Sequence, residues 1–255
     1  MKKLLTLSLL IFVGSLVAQT TDAQGRKQGY WKKMDEKTQK LIYEGMFKDD
    51  KPQGVFKYYY PLMDSVRALV DYKKDGKYAY AKLFHPNGKL MAKGKYLGES
   101  IKDSVWTYYD DLGVMMSKEN YKNGKKEGKQ FVYLPNGKTA EERNFKDGVE
   151  HGAFKQYYDG VKLKADGNFI NGKQEGKMTY FYPNGIAAAT GFYKNGMRNG
   201  PWIYKDKEGK VTEKELYEYG QIADKKTTDA FFDKNKVKDT PAPKSGEQKP
   251  ANKKK

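Results

Sequence analysis

The sequence contains no cysteine. That excludes a disulfide framework, a cysteine-ligated zinc site and a cysteine nucleophile. It also excludes a lipoprotein, which is acylated on a cysteine at the point of cleavage. Histidine is nearly as scarce, with His85 and His151 alone. Branched aliphatics are sparse beyond residue 20, and hydrophobic residues make up only 38% of the 255. A chain this poor in Leu, Ile and Val does not fill a thick two-layer core. No helical apolar period runs through 29–223, so core-facing helices are not expected there. No Gly-x-Ser-x-Gly motif or phosphate loop is present.

What is there is aromatic and basic. Tyr accounts for 21 of the aromatic residues, and its apolar ring and polar tip suit a thin, half-wet structure. The net charge is +17. Lysines on strand edges oppose aggregation, and a basic surface attracts anionic lipid, polysaccharide or nucleic acid. No nucleic-acid module accompanies the charge, which argues against nucleic acid as partner.

Residues 1–18 have the parts of a secretion signal: Lys2 and Lys3, an apolar run from Leu4 to Val13, then Gly14, Ser15 and Ala18. The apolar run is short for a transmembrane helix. Cleavage is expected after Ala18, with an uncleaved anchor as the alternative. The mature protein is expected outside the cytoplasm: periplasmic, cell-surface or secreted. Residues 19–28 read as a short linker. Residues 225–255, rich in Lys and Pro, read as a disordered tail in which Phe231-Phe232 is the one apolar point.

Between linker and tail runs a period. A small residue recurs at Gly29, Gly54, Ala79, Ser104, Gly128, Gly152, Gly176 and Gly200, with spacings of 25, 25, 25, 24, 24, 24 and 24. Two positions later stand Trp31, Phe56, Ala81, Trp106, Gln130, Phe154, Met178 and Trp202. Five positions later most copies carry an aromatic, including Tyr59, Phe84 and Tyr157. Pro86-Asn87-Gly88, Pro135-Asn136-Gly137 and Pro183-Asn184-Gly185 close a hairpin inside a copy. Asn123-Gly124, Asp147-Gly148, Asn171-Gly172 and Asn195-Gly196 are hairpin turns between copies. Each copy therefore predicts two short antiparallel strands. The array over 29–224 predicts an all-β, elongated single-layer sheet with no helical domain.

Tyr43-Glu44-Gly45-Met46-Phe47, Ala165-Asp166-Gly167-Asn168-Phe169 and Ala189-Thr190-Gly191-Phe192-Tyr193, each leading through a polar turn to the next Gly, resemble the MORN repeat. The Gly-x-Trp start and Pro-Asn-Gly turn are similar to the bacterial variant of that repeat, many members of which are grouped as YwqK-type antitoxins. The resemblance implies a hairpin array. It also implies a scaffold, a dimerisation module, a lipid binder or a toxin-neutralising partner as roles.

No catalytic group converges in the sequence, and no cofactor or metal site is expected. His85 and His151 stand about three copies apart and read as exposed turn residues. Asp110-Asp111 and Glu141-Glu142 read as polar turns, since calcium needs about six oxygens. What remains is a surface. Lys32, Lys57, Lys82 and Lys155, three positions into their copies, share a predicted face with Tyr59, Phe84 and Tyr157. This stripe suits an unknown protein partner or an anionic lipid or polysaccharide; the plainer alternative is that lysine stems cover rings. The expected function is an exported, non-enzymatic scaffold for protein–protein interaction at the cell envelope.

Overall fold

The computed structural model describes residues 19–98 and 100–235. The secretion signal expected over 1–18, and the part of the expected tail beyond residue 235, lie outside the described residues. Sixteen strands of six to nine residues, from Lys27–Met34 to Val211–Glu218, form a continuous antiparallel meander in which each pairs with the next. Eight two-stranded copies were expected, and eight are found. Alternation of side chains divides the sheet into two faces. One is filled with rings and is called the ring face; the opposite one is the lysine face.

The turns between copies follow their residue types. Asn123 and Gly124 take φ of 50° and 84°, Asn171 and Gly172 take 50° and 79°, and Asn195 and Gly196 take 54° and 83°. Two consecutive positive φ values define the type I′ turn, whose twist matches that of the strands it joins.

The recurring Gly opens its strand in copies five to eight, at Gly128, Gly152, Gly176 and Gly200, whereas Gly29 and Gly54 sit within longer strands. After the turn, Lys125 and Lys126 pair with Lys122 and Tyr121, but Phe131 pairs with Lys118, so two extra residues are accommodated between. Gly128 stands at this bulge with φ 74°, and Gly54, Gly176 and Gly200 take 65°, 76° and 80°. A Cβ at any of these four would meet nothing within 4 Å, so backbone conformation, and not space, requires Gly. Copy three is the exception. Ala79 pairs with Tyr72 in an unbroken register from Ala68↔Leu83 to Lys73↔Tyr78.

On the ring face, large and small residues alternate from strand to strand. A Cβ on Gly94 would fall 2.2 Å from the Trp106 ring, and one on Gly191 would fall 2.1 Å from Trp202. Gly45 and Gly167 are covered in the same way by Phe56 and Met178. Each large side chain lies flat over a glycine of the preceding copy. This explains how a single-layer sheet buries tryptophan. Trp106 and Trp202 are both fully excluded from solvent. Tyr180, Tyr193, Tyr204 and Tyr217 surround Trp202 with ring centroids 5.3–6.4 Å away. The Arg198 guanidinium closes the remaining side at 4.5 Å. The indole N–H groups donate to the Lys95 and Phe192 carbonyls at 3.0 and 3.2 Å, so neither is left unpaired.

Both ends differ from expectation. Residues 19–28 are not a linker: Thr20 and Thr21 pair with Gln28 and Lys27, adding a short strand to the first edge. The segment from Lys225 is not uniformly without structure: Lys225–Asn235 form a helix. Asp224 caps it, accepting from the Thr227 N–H and hydroxyl at 3.0 and 2.8 Å. Phe232 is buried, with the Lys214 ammonium 5.2 Å over its ring. Composition obscured this helix because its charged residues outnumber its apolar ones, whereas Phe232 finds its partner only in the folded sheet.

Candidate binding surface

The lysine face carries one row of directly paired residues across the whole meander. In order these are Lys32, Glu44, Lys57, Leu69, Lys82, Lys93, Thr107, Lys118, Phe131, Glu142, Lys155 and Asp166, continuing through Thr179, Thr190 and Ile203 to Lys214. Lys32, Lys57, Lys82 and Lys155, singled out from the sequence, all fall in this row. Tyr59 and Tyr157 share their face, donating to Glu44 and Glu142 at 2.7 and 2.8 Å. Phe84 lies two positions beyond Lys82 on the same strand.

The stripe is not uniform. Lys32 and Lys57 converge on Glu44, at 3.8 and 3.4 Å. Glu44 also accepts the Tyr30 hydroxyl at 2.5 Å. The Tyr30 and Tyr59 hydroxyls, together with Lys57, hold the carboxyl below its ordinary 4.5 against the opposing effect of burial. Burial and the Glu44 charge in turn push Tyr30 and Tyr59 up to about 12. At this end the lysines are therefore structural partners of a carboxylate. Lys155 stands between Glu142 and Asp166. In the middle of the row Lys82, Lys93 and Lys118 have no acidic residue directly paired with them, and neither does Lys214 at its end.

The family model for the MORN repeat variant matches residues 77–97, 102–123, 126–147 and 174–196. The chain carries MORN repeats of the variant type. The matches span copies three, four, five and seven, and the intervening copies share their pairing and turns. No curated protein matches the chain. Among solved structures, a porin-like protein from Bacteroides uniformis aligns over 76% of this chain and 92% of its own, at 9% identity and a TM-score of 0.17. A superposition that poor carries no argument.

Within the MORN array, other conspicuous residues have structural work. The Tyr60, Tyr158 and Tyr182 hydroxyls donate to the Phe84, Phe181 and Lys205 carbonyls one copy on, at 2.7–2.9 Å. His85 stands in the same place, with Nε2 3.1 Å from the Tyr109 carbonyl. It is half-buried and ties adjacent copies together, so it is not the free turn residue that the sequence suggested. His151 is also half-buried, and its Nδ1 has no hydrogen-bond partner among the described residues. Asp110 does cap a turn, accepting the Leu112 and Val114 N–H groups at 3.0 and 2.8 Å.

Glu141-Glu142 is not a turn. It lies within the strand Thr139–Lys146, with its two side chains on opposite faces. Glu141 belongs to a polar seam on the ring face, where copies four and five place Glu119, Gln130 and Arg143 in the row that elsewhere holds rings and smaller apolar residues. Arg143 bonds Glu141 and Glu150, and Gln156 donates to Glu141 at 2.7 Å. Glu119 accepts from Lys126 and Gln130 at 3.3 and 3.1 Å. The seam pairs its own charges, and among the described residues no group of acidic or histidine side chains is arranged to hold a metal. The seam carried no sequence signal, because Glu119, Gln130, Arg143 and Gln156 become neighbours only through strand pairing.

A groove of about 830 Å³ lies on the lysine face of copies two to four, lined by Leu69, Asp71, Tyr80, Lys82, Lys93 and Val105. Val55, Tyr80 and Val105 are exposed by 53%, 54% and 51%. Lys93 and the flanking valines carried no sequence signal, because they become neighbours of Lys82 only through strand pairing. A second groove, of about 950 Å³, lies on the ring face of the first copies, between rings such as Tyr43, Phe56, Tyr58 and Tyr72.

Proposed function

We propose that this MORN array is a non-enzymatic scaffold that engages a protein partner through its lysine face, at the cell envelope after export. The chemical difference between the faces, rather than any lack of recesses on the ring face, supports the reading. The ring face spends its large side chains on one another, with Trp106 and Trp202 wholly enclosed. The lysine face leaves a groove with exposed apolar groups beside lysines. Exposed apolar groups rimmed by polar residues mark interaction sites. Export rests on residues 1–18, and N-terminal sequencing of the protein from an envelope fraction is expected to begin at or near Gln19.

A photo-crosslinking side chain in cells tests the surface. Placed at Val105 or Thr179 on the lysine face, it is expected to yield a discrete protein adduct. Placed at Ala189 or Ser117 on the ring face, it is expected to yield none. Equal adducts from both faces, or none from either, would refute the reading. A second reading, binding to anionic lipid or polysaccharide, draws on the net charge of +17. Adducts to lipid or glycan, with no protein, would favour it.

A further inference from the structure

The groove on the lysine face coincides with the place where the repeat departs from its own rule. Copy three lacks the bulge. On its ring face Ala81 stands where the neighbouring copies carry Phe56 and Trp106. On the opposite face Lys82 and Lys93 are directly paired across two strands. Like charges in this position destabilise a sheet, and elsewhere in the row each acidic residue has lysine beside it. Among the described residues neither Lys82 nor Lys93 has an ion-pair partner. The nearby acids are already engaged, Asp71 with Lys73 at 2.8 Å and Asp103 with Lys95 at 3.2 Å. The repeat does not require this pair of lysines, and the fold bears a cost for them.

We infer that the groove is a binding site for an extended segment of a protein partner in which acidic side chains alternate with apolar ones. The inference rests on the scaffold reading and names the chemistry of the partner. Carboxylates of the segment sit between Lys82 and Lys93, relieving their repulsion. Apolar side chains of the segment cover Leu69, Tyr80 and Val105. The mixture decides between ligand classes. A bilayer is flat and meets projecting groups, whereas these residues line a recess. An acidic polysaccharide would satisfy the lysines but leave Val55, Leu69 and Val105 without apolar partners. Single-stranded nucleic acid needs successive aromatic platforms, and Tyr80 is the one aromatic lining the groove.

The test uses the full mature chain and a short labelled peptide alternating Glu with Leu. Lys82→Ala/Lys93→Ala is compared with Lys207→Ala/Lys210→Ala, which removes equal charge from a distant turn. The peptide is expected to bind in a salt-sensitive manner. The Lys82/Lys93 variant is expected to weaken it by about tenfold or more, and the turn variant to leave it unchanged. The denaturation midpoint of the Lys82/Lys93 variant is expected to equal or exceed that of the parent. A lower midpoint would give the lysines a structural role and overturn the inference. So would undiminished binding by that variant, no binding of the peptide, or tighter binding of phosphatidylglycerol vesicles or polygalacturonate. Should the peptide fail while lysine-face crosslinks persist, this inference falls and the scaffold reading stands. Should the crosslinks fail as well, both fall.

Discussion

Glu44 shows how single residues are held in this sheet. Its side chain is only 11% exposed, yet it is charged, because two tyrosine hydroxyls and two lysines compensate it. Gln in its place retains one acceptor and removes the charge. Glu44→Gln is expected to destabilise the first copies by about 1–3 kcal/mol, read by chemical denaturation. The pH dependence has a defined sign. A carboxylate held below its ordinary 4.5 contributes stability above that value and loses it as pH falls further. Tyr30 and Tyr59, raised from 10.0 to about 12, contribute stability below pH 10.0 that is lost as pH rises towards 12. Thermal midpoints of the parent are expected to drop at both extremes, and the acid limb is expected to flatten in Glu44→Gln. The glycines divide by physical cause. Gly191→Ala drives a methyl into the Trp202 ring and is expected to cost about 1–3 kcal/mol through overpacking. Gly176→Ala meets no atom, and its expected cost of about 1–2 kcal/mol comes from the positive φ alone.

The element is the copy, and its joints are explicit. The Glu127 and Glu175 carboxylates accept from the Asp147 and Asn195 N–H groups in the following turn, at 2.9 and 2.8 Å. Each copy thus fastens the turn of the next one. Contacts run to neighbours along the meander, so damage should stay local. Trp202→Ala removes the centre of a cage of four tyrosines. It is expected to cost about 3–5 kcal/mol. Hydrogen exchange is the decisive measurement: amides in 176–222 are expected to lose protection while those in 41–97 keep it. Uniform loss would show that the array unfolds as one cooperative block.

At the scale of the molecule, the ring face is not one core. One cluster centres on Trp106 with Ala68, Val70, Ala79, Ala81 and Ala92, and another on Phe154, Ala165 and Met178. The seam of Glu119, Gln130, Arg143 and Glu141 lies between them. A polar network holds only while each member is satisfied. Arg143→Ala leaves Glu141 and Glu150 without their cation, and is expected to cost about 3 kcal/mol or less, since the group is partly exposed. It is also expected to split a single denaturation transition into two, one for each side of the seam. Tryptophan fluorescence would follow both sides through Trp106 and Trp202. A single sharpened transition would show that the seam does not couple the halves.

The repeat was legible in the sequence because it is local. Asn-Gly and Pro-Asn-Gly dictate turns through the φ their own residues adopt, and alternation along a strand places Lys32, Lys57, Lys82 and Lys155 on one face without knowledge of anything distant. Eight copies, two strands each, and the single-layer architecture follow from that. Three features needed the folded chain. The recurring Gly is a bulge, which appears only when one strand is counted against its partner. The helix at Lys225–Asn235 depends on a cover for Phe232 that the sheet alone supplies. The neutralised and uncompensated parts of the lysine row differ only in what stands opposite them, Glu44 in one case and Lys93 in the other. Local periodicity set which side chains share a face. Strand register, a relation between residues far apart in the chain, decided which of them meet.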